Sequence, residues 1–481
     1  MFDYRNKTNW SQFTSLVIVF FFWGFVAASN DILIPVFKKA FDLTNFQSQL
    51  VASAYYIAYT VGTIIYLLIS RVLGYDILNK IGYKNGLIIG LLISAAGSLI
   101  FIPAASAHSF TLMISALFVV GLGFSLQQTV ANPLAIAIGP SETGSQRLTM
   151  AGGINNLGTT IGPLIVAFAI FGSAAAANTD ADIDSVKIPY LVLGVAFVLA
   201  AVFLKFSSLP DVTETNEVEE VNEIAKPRKS VLQYPQLVLG MIAIFLYVGV
   251  EVATASNLPA YMEHDLGYSV QEVAPYISLY WASMMIGRWG GAVGAFNLKG
   301  GMLQVAKFIA PYLAFSVFLI VNAIAKHDLT PFWIYIPIIA VMIVADIYCK
   351  GNPAKTTLVF SGMGILALVI GMSTTGMTSV YAFISVGLFN SVLWPCIFAL
   401  AIMGLGKHTN EGSNYLIMMI MGGGIIAPLQ GFVADLTTSH FSYIIDVLCF
   451  AYLIFFAIKV KSILKTQGID LEGTKVSGGG H

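Results

Sequence analysis

The chain has 481 residues, 57% of them hydrophobic and only 10% charged, with a net charge of −1 and a mean hydropathy of +0.81. A soluble domain carries roughly 25% charged residues, so the composition excludes a soluble enzyme or binding module and indicates a polytopic protein of the lipid bilayer. The near-zero charge offers nothing to nucleic acid, the three cysteines form no CxxC pair, and no metal or cofactor is expected.

Apolar runs of about 20 residues fall near 13–37, 47–72, 85–105, 110–138, 146–172 and 187–206. The first is too long for a signal peptide and shows no small-residue cleavage site, so it is read as a retained helix. It also holds an acid, Asp31, in the sequence NDILIP from Asn30 to Pro35. A carboxylate at the centre of a membrane helix costs about 2.5–3.5 kcal/mol, which points to function. The polar stretch 207–233 reads as a solvated linker. Apolar runs then resume near 234–262, 269–297, 304–325, 331–349, 355–374, 378–404, 410–436 and 441–460.

The prediction is therefore an all-α membrane protein of about 14 spans, six before the linker and eight after it. Its parts are an N-terminal six-helix bundle (1–206), a cytoplasmic linker (207–233), a C-terminal bundle (234–465) and a tail (466–481). The C-terminal bundle carries an inserted helix pair at about 298–354, which has few polar residues and is expected to be peripheral. Asp346 and Asp435 fall at span ends, where solvation is expected. Glu251 lies 17 residues after Tyr234, almost the depth of Asp31, which lies 18 after Phe13. Basic residues gather on one side of the predicted spans, among them Arg5, Lys7, Arg71, Lys80, Arg147, Lys205, Arg228, Lys407 and Lys465. That bias predicts both termini in the cytoplasm.

A weak repeat relates GPSETGSQRLTMAGGINNLGTTIGPL, from Gly139, to GKHTNEGSNYLIMMIMGGGIIAPLQG, from Gly406. Asn132-Pro133 and Trp394-Pro395 occupy matching places before the two segments. Parallel six-helix repeats with a ligand site where they meet are a transporter plan.

Polar side chains inside the spans are few: Asn30, Asp31, Gln127, Gln128, Asn132, Asn155, Asn156, Glu251, Asn257, Asn390, Asn414 and Gln430. In hydrocarbon an unpaired amide or acid is expensive, so each should face protein or an aqueous cavity. Arg288, the only arginine read as lying in a span, stands near a helix end. Amides that donate and accept, together with flat rings such as Trp23, Trp281 and Trp394, suit a neutral polyhydroxylated ligand. The predicted substrate contacts are Asn30, Gln128, Asn132, Asn155, Asn156, Glu251, Asn390 and Trp394, with Asp31 and Glu251 as proton carriers. For Asn132 and Asn390, interhelical packing is an equal alternative, and Asn155 and Asn156 could instead belong to a close seam with Gly152, Gly153 and Gly158.

NDILIP with LTNFQSQL, QTVANP (128–133), SQRLTMAGGINNLGTTIGP, GVEVATAS (249–256) and GRWGGA (287–292) together resemble the fucose permease family of the major facilitator superfamily. The resemblance implies two six-helix bundles and proton-coupled monosaccharide uptake. It equates Asp31 with the family's proton-linked aspartate and Asn155 with an asparagine that contacts sugar. Gln128 stands where the fucose transporter has an acid, Gly152 where it has a glutamine, and Glu251 where it has a neutral glutamine. Those departures point away from fucose itself.

The expected function is a monomeric symporter of the bacterial inner membrane. It would import a neutral hexose (glucose, galactose, fucose or N-acetylglucosamine) with protons by alternating access, its partners being sugar, protons and the bilayer. The alternative is a drug or metabolite exporter of the same superfamily. Fourteen-helix exporters carry their extra pair between the halves, where this chain has only the polar linker. A polytopic glycosyltransferase would need acid or His/Asp clusters in sizeable loops, and the loops here are short.

Overall fold

The computed structural model describes residues 8–42, 45–75, 77–140, 143–171, 183–210, 230–268, 270–296, 298, 300–469 and 471. The first six spans lie in α1 (Trp10–Ala40), α2 (Asn45–Leu73), the short α3 (Ile77–Ile81), α4 (Tyr83–Ser106), α5 (Phe110–Ala137), α6 (Gly144–Phe171) and α7 (Lys187–Phe206). After the linker come α8 (Pro235–His264), α9 (Val270–Ala292), α10 (Gly300–Ile324), α11 (Tyr335–Cys349) and α12 (Pro353–Ser373). The chain ends in α13 (Gly376–Asn390), α14 (Leu393–Ile402), α15 (Thr409–Met418), α16 (Gly423–Leu436) and α17 (Ile444–Thr466). Among the described residues, 12 segments are long and apolar enough to cross a membrane. Two further helices, α6 with 28 residues and α9 with 23, add membrane-crossing length and bring the total to the predicted fourteen. In two spans the helix is interrupted, between α13 and α14 and again between α15 and α16, where a 3-10 turn covers Met419–Gly422.

The described residues group into two compact units, Met1–Ile138 with Leu157–Glu214, and Gly139–Asn156 with Thr215–His481. The start of α6 therefore groups with the second unit, although in the linear order it belongs to the first bundle. In the first unit, small residues let helices approach closely. Gly90 and Gly97 of α4 abut Gly123 and Val120 of α5, and any Cβ added at these glycines would strike backbone. Gly158 and Gly162, a GxxxG pair on α6, sit against the backbone of Phe21 and Phe25 in α1. Helices in lipid lack a hydrophobic drive to associate, so close contact over small residues supplies the attraction.

In the second unit α8 is central, packed by α14, α16 and α17, while α12 packs on α13 and α17. The inserted pair α10 and α11 packs against α9, with α11 also touching α12 and α13. Its outer residues, including Val305, Phe308, Leu313, Ile320 and Ile324, are exposed, as a lipid-facing surface requires.

The expectation of an insert poor in buried polar groups is corrected by four contacts. Lys307 Nζ meets Asp346 Oδ2 at 2.6 Å with side chains only 15% and 14% exposed, so Asp346 is paired rather than solvated. Asn322, buried, receives His327 Nδ1 at 2.9 Å. Tyr335 Oη lies 2.7 Å from Ser283 Oγ on α9, and Tyr381 of α13 donates to Pro331 O at 2.6 Å. Rings of Phe315, Phe318, Phe332 and Tyr276 interlock between these contacts. Asp435, by contrast, is exposed as expected.

One prediction follows from the ion pair. Removing one partner of a fully buried pair leaves an uncompensated charge and costs about 3–5 kcal/mol, less where the pair is part-exposed as here, whereas replacing both by apolar residues is often neutral. Asp346→Asn should therefore lower the melting temperature of detergent-purified protein, and the double change Lys307→Met with Asp346→Leu should restore most of it. Equal melting temperatures for Asp346→Asn and wild type would mean that the pair contributes nothing.

Candidate functional site

Asn30 and Asp31 lie in α1, just before Pro35. Their side chains fall outside what the structure describes, so their predicted roles rest on the sequence.

Gln127 and Gln128 are adjacent on α5, and a helix turns roughly 100° per residue, so they face different neighbours. Gln127 is fully buried as packing glue. Trp23 Nε1 donates to its Oε1 at 3.0 Å, and its Nε2 donates to Ser94 Oγ at 3.0 Å, which ties α1, α5 and α4 together. Gln128 is half-buried, and its Nε2 donates to Tyr59 Oη at 3.0 Å; Tyr55 Oη lies 3.2 Å further on. Asn132 stands one turn along α5 from Gln128, 3% exposed, with Nδ2 lacking a partner among the described residues. A buried amide without a partner is costly, so Gln128, Asn132, Tyr59 and Tyr55 form a polar strip with capacity to spare. The two tyrosines, one turn apart in AYYIAYT, extend the predicted set.

In the second unit the start of α6 lies on α9. Arg288 Nη1 donates to Gly152 O at 3.3 Å and Trp289 Nε1 to Gly153 O at 3.4 Å. The glycine pair is thus a close seam: a Cβ at Gly153 would come within 2.9 Å of the Trp289 ring. Asn155, half-buried, and Asn156, 1% exposed, follow directly and are both engaged.

Arg288 is the residue that the sequence undervalued. It is 8% exposed, and besides Gly152 O it reaches two partners: Nε donates to Ser391 O at 2.9 Å and Nη2 to Tyr247 Oη at 3.2 Å. Why Ser391 O is available follows from the chain. Pro395 has no N–H to return to the carbonyl four residues earlier, the span breaks between α13 and α14, and the guanidinium takes the vacant acceptor. The Tyr247 hydroxyl acts on the carboxylate of Glu251, one turn along α8, which also lies in the field of Arg288. Glu251 is therefore not the isolated acid expected. It belongs to a Glu251–Tyr247–Arg288 cluster in which the two charges compensate each other, the condition for carrying ions inside a membrane protein.

Two predicted contacts flank this cluster. Trp394 is half-buried at the start of α14, its ring 6.0 Å from that of Tyr247. Asn390 is fully buried at the end of α13, and neither its Oδ1 nor its Nδ2 has a partner among the described residues. Asn257, by contrast, spends its amide on Ala253 O at 2.8 Å and Ala427 O at 3.5 Å, a packing role. Among the described residues no group of His, Cys, Asp or Glu could hold a metal ion.

Comparison with known proteins accords with this architecture. The sequence profile of the Major Facilitator Superfamily matches residues 14–352. A glucose/galactose transporter of Brucella abortus biovar 1 (strain 9-941) is 33% identical over 447 residues, covering 92% of this chain and 93% of the relative. The L-fucose-proton symporter of Escherichia coli (strain K12) is 26% identical over 463 residues, 92% of each. The crystal structure of the transporter FucP in its outward conformation superposes with a TM-score of 0.67 at 25% identity, covering 93% of this chain and 98% of that one. Full-length similarity of sequence and fold leads to one assignment: the chain belongs to the Major Facilitator Superfamily of transporters.

Proposed function

We propose that this protein is a proton-coupled symporter that imports a neutral monosaccharide, with glucose and galactose ahead of fucose and N-acetylglucosamine. The observation that carries the reading is the Glu251–Tyr247–Arg288 cluster with Trp394 beside it. It offers a charged acceptor, charged and neutral donors and a flat ring, yet its ionic charges cancel. A neutral ligand with many hydroxyls and apolar C–H faces matches that set, whereas an anion would want surplus positive charge. The amides Gln128, Asn132, Asn155, Asn156 and Asn390 would supply further neutral contacts, and Asn30 another. The names of the relatives support the substrate class.

In the proposed cycle Asp31 takes a proton from the outer side and releases it inside. Protonation removes the charge that resists burial, so the sugar-loaded carrier reorients only with Asp31 protonated, and the empty carrier returns once sugar and proton have both left. The setting is the bacterial inner membrane, with both termini cytoplasmic and one chain as the working unit. The exporter alternative is disfavoured by the position of the α10–α11 insert, after α9 rather than between the halves.

The test is uptake of labelled glucose, galactose, fucose and N-acetylglucosamine by proteoliposomes under an imposed proton gradient, acid outside. Accumulation of one or more sugars, abolished by a protonophore, is expected. Equal internal and external concentrations of all four at steady state would overturn the reading.

A further inference from the structure

Asp446 is a buried acid that neither Asp31 nor the Glu251 cluster accounts for. It lies in the first turn of α17, where an acid ordinarily serves the helix dipole from solvent, yet it is 0% exposed. Its Oδ2 is 3.2 Å from Thr254 Oγ1 of α8, and its Oδ1 has no partner among the described residues. Tyr452 Oη donates to Leu239 O at 3.2 Å, so α17 runs antiparallel to α8 and Asp446 sits at the end away from the C-terminus.

The groups facing Asp446 are hydroxyls and a thiol: Tyr280 from α9, Tyr443 from the turn before α17, Cys449 from its own helix and Thr254 from α8. Helix α12 brings only Lys355, in its first turn beside Asn352, which bonds Leu471 O near the opposite end of α17. Helix α16 brings the exposed Asp435. His440, upstream of α17, places its Nε2 on Gly371 O at 2.7 Å and stacks on Tyr261. Among the described residues no cation acts on Asp446. An ionised carboxylate with one hydrogen bond and no counter-charge is expensive inside a membrane protein. A neutral carboxyl leaves only one carbonyl oxygen unpartnered, at far smaller cost.

The neutral form also completes a chain. With its proton on Oδ2, Asp446 donates to Thr254 Oγ1. Thr254 is then free to turn its hydroxyl toward Tyr280 Oη, which lies within its electrostatic reach, and Tyr280 donates to the backbone carbonyl of Glu251 at 2.8 Å. When Asp446 is ionised, the Thr254 hydroxyl donates to the carboxylate and has no proton to offer Tyr280.

We infer that Asp446 is a second proton-binding site, a carboxyl that must be neutral for the second unit to hold sugar, acting on the Glu251 segment through Thr254 and Tyr280. The inference rests on the sugar reading above. Asp446 is a positioning residue: it sets how affinity depends on pH, while Asp31 carries coupling.

The experiment is galactose exchange, with no gradient, by proteoliposomes at pH 5.5 to 8.5. In wild type the KM for exchange is expected to rise about tenfold per pH unit above the midpoint of Asp446. Asp446→Asn mimics the neutral acid, its amide N–H replacing the O–H donor, and should hold KM at the low-pH value throughout. Asp446→Glu should restore the pH dependence. Thr254→Val keeps the acid and cuts the chain, and should flatten the profile in protein of normal fold. A wild-type profile in Asp446→Asn overturns the proposal, and if that variant does not fold, an unchanged profile in Thr254→Val does so. Infrared difference spectra of purified protein supply an arm that needs no sugar: a protonated-carboxyl band at pH 6, absent in Asp446→Asn, supports the site, and its absence in wild type overturns it. Failure of wild type to exchange any sugar, with that band present, would count against the sugar reading and not against the proton site.

Discussion

Asp31→Asn is expected to abolish proton-driven accumulation of sugar while leaving sugar exchange largely intact. The reason lies in the thermodynamics of the first span. A carboxylate in the middle of an apolar helix costs about 2.5–3.5 kcal/mol when charged, so its charge state can bias which conformations the carrier visits. A ligand or proton moves such an equilibrium only by its differential affinity for the two states. Asparagine keeps the shape and the hydrogen-bonding capacity but has one charge state, so the loaded and empty carriers reorient alike. The variant should then bring labelled sugar to the same concentration on both sides, whatever the gradient. Continued concentration of sugar against its gradient by Asp31→Asn would remove Asp31 from the coupling role. Because Asp446→Asn should alter the pH dependence of KM and leave accumulation at low pH in place, the two variants separate coupling from affinity.

How much of this was legible in the sequence depended on whether the signal was local. Apolar length alone located all fourteen spans, since a bilayer demands about 20 apolar residues each, and the linker announced itself by charge. The asparagine and glutamine positions were legible as polar residues, but their roles were not. Gln127 and Gln128 look identical in sequence, and only helix rotation makes one an anchor for Trp23 and the other a neighbour of Tyr59. Arg288 was visible as one of the few arginines within the spans, yet its position near the end of α9 reads as a snorkelling residue. What buries it is the carbonyl of Ser391, freed by a proline over a hundred residues away in the chain. Asp446 stands where a span end would normally place an acid in water, and tertiary packing alone excludes that water. The insert failed differently: its polar residues are few, but they pair with one another and with α9 and α13, and pairwise contact has no sequence period to betray it.

Glu251→Gln should weaken sugar binding by about 1.5–3 kcal/mol, roughly 10- to 100-fold, because a charged acceptor makes stronger hydrogen bonds to sugar hydroxyls than an amide does. The structure adds a competing cause that a single variant cannot separate. Removing the carboxylate leaves the Arg288 guanidinium, 8% exposed, without its compensating charge, and a stranded buried charge is itself destabilising. Arg288→Met reverses the problem, stranding Glu251 and also vacating Gly152 O, Ser391 O and Tyr247 Oη. It should therefore be the more damaging of the two in thermal stability, and Arg288→Lys should rescue it poorly, because a point charge cannot reach three acceptors in divergent directions. The double variant Glu251→Gln with Arg288→Met strands neither ion and should melt above Arg288→Met. Its affinity is the deciding measurement. If Glu251 contacts sugar, adding Glu251→Gln to Arg288→Met still lowers affinity, read by isothermal titration with galactose at pH 6. If Glu251 serves only to neutralise Arg288, the double variant binds at least as well as Arg288→Met alone, and the sugar contact is refuted.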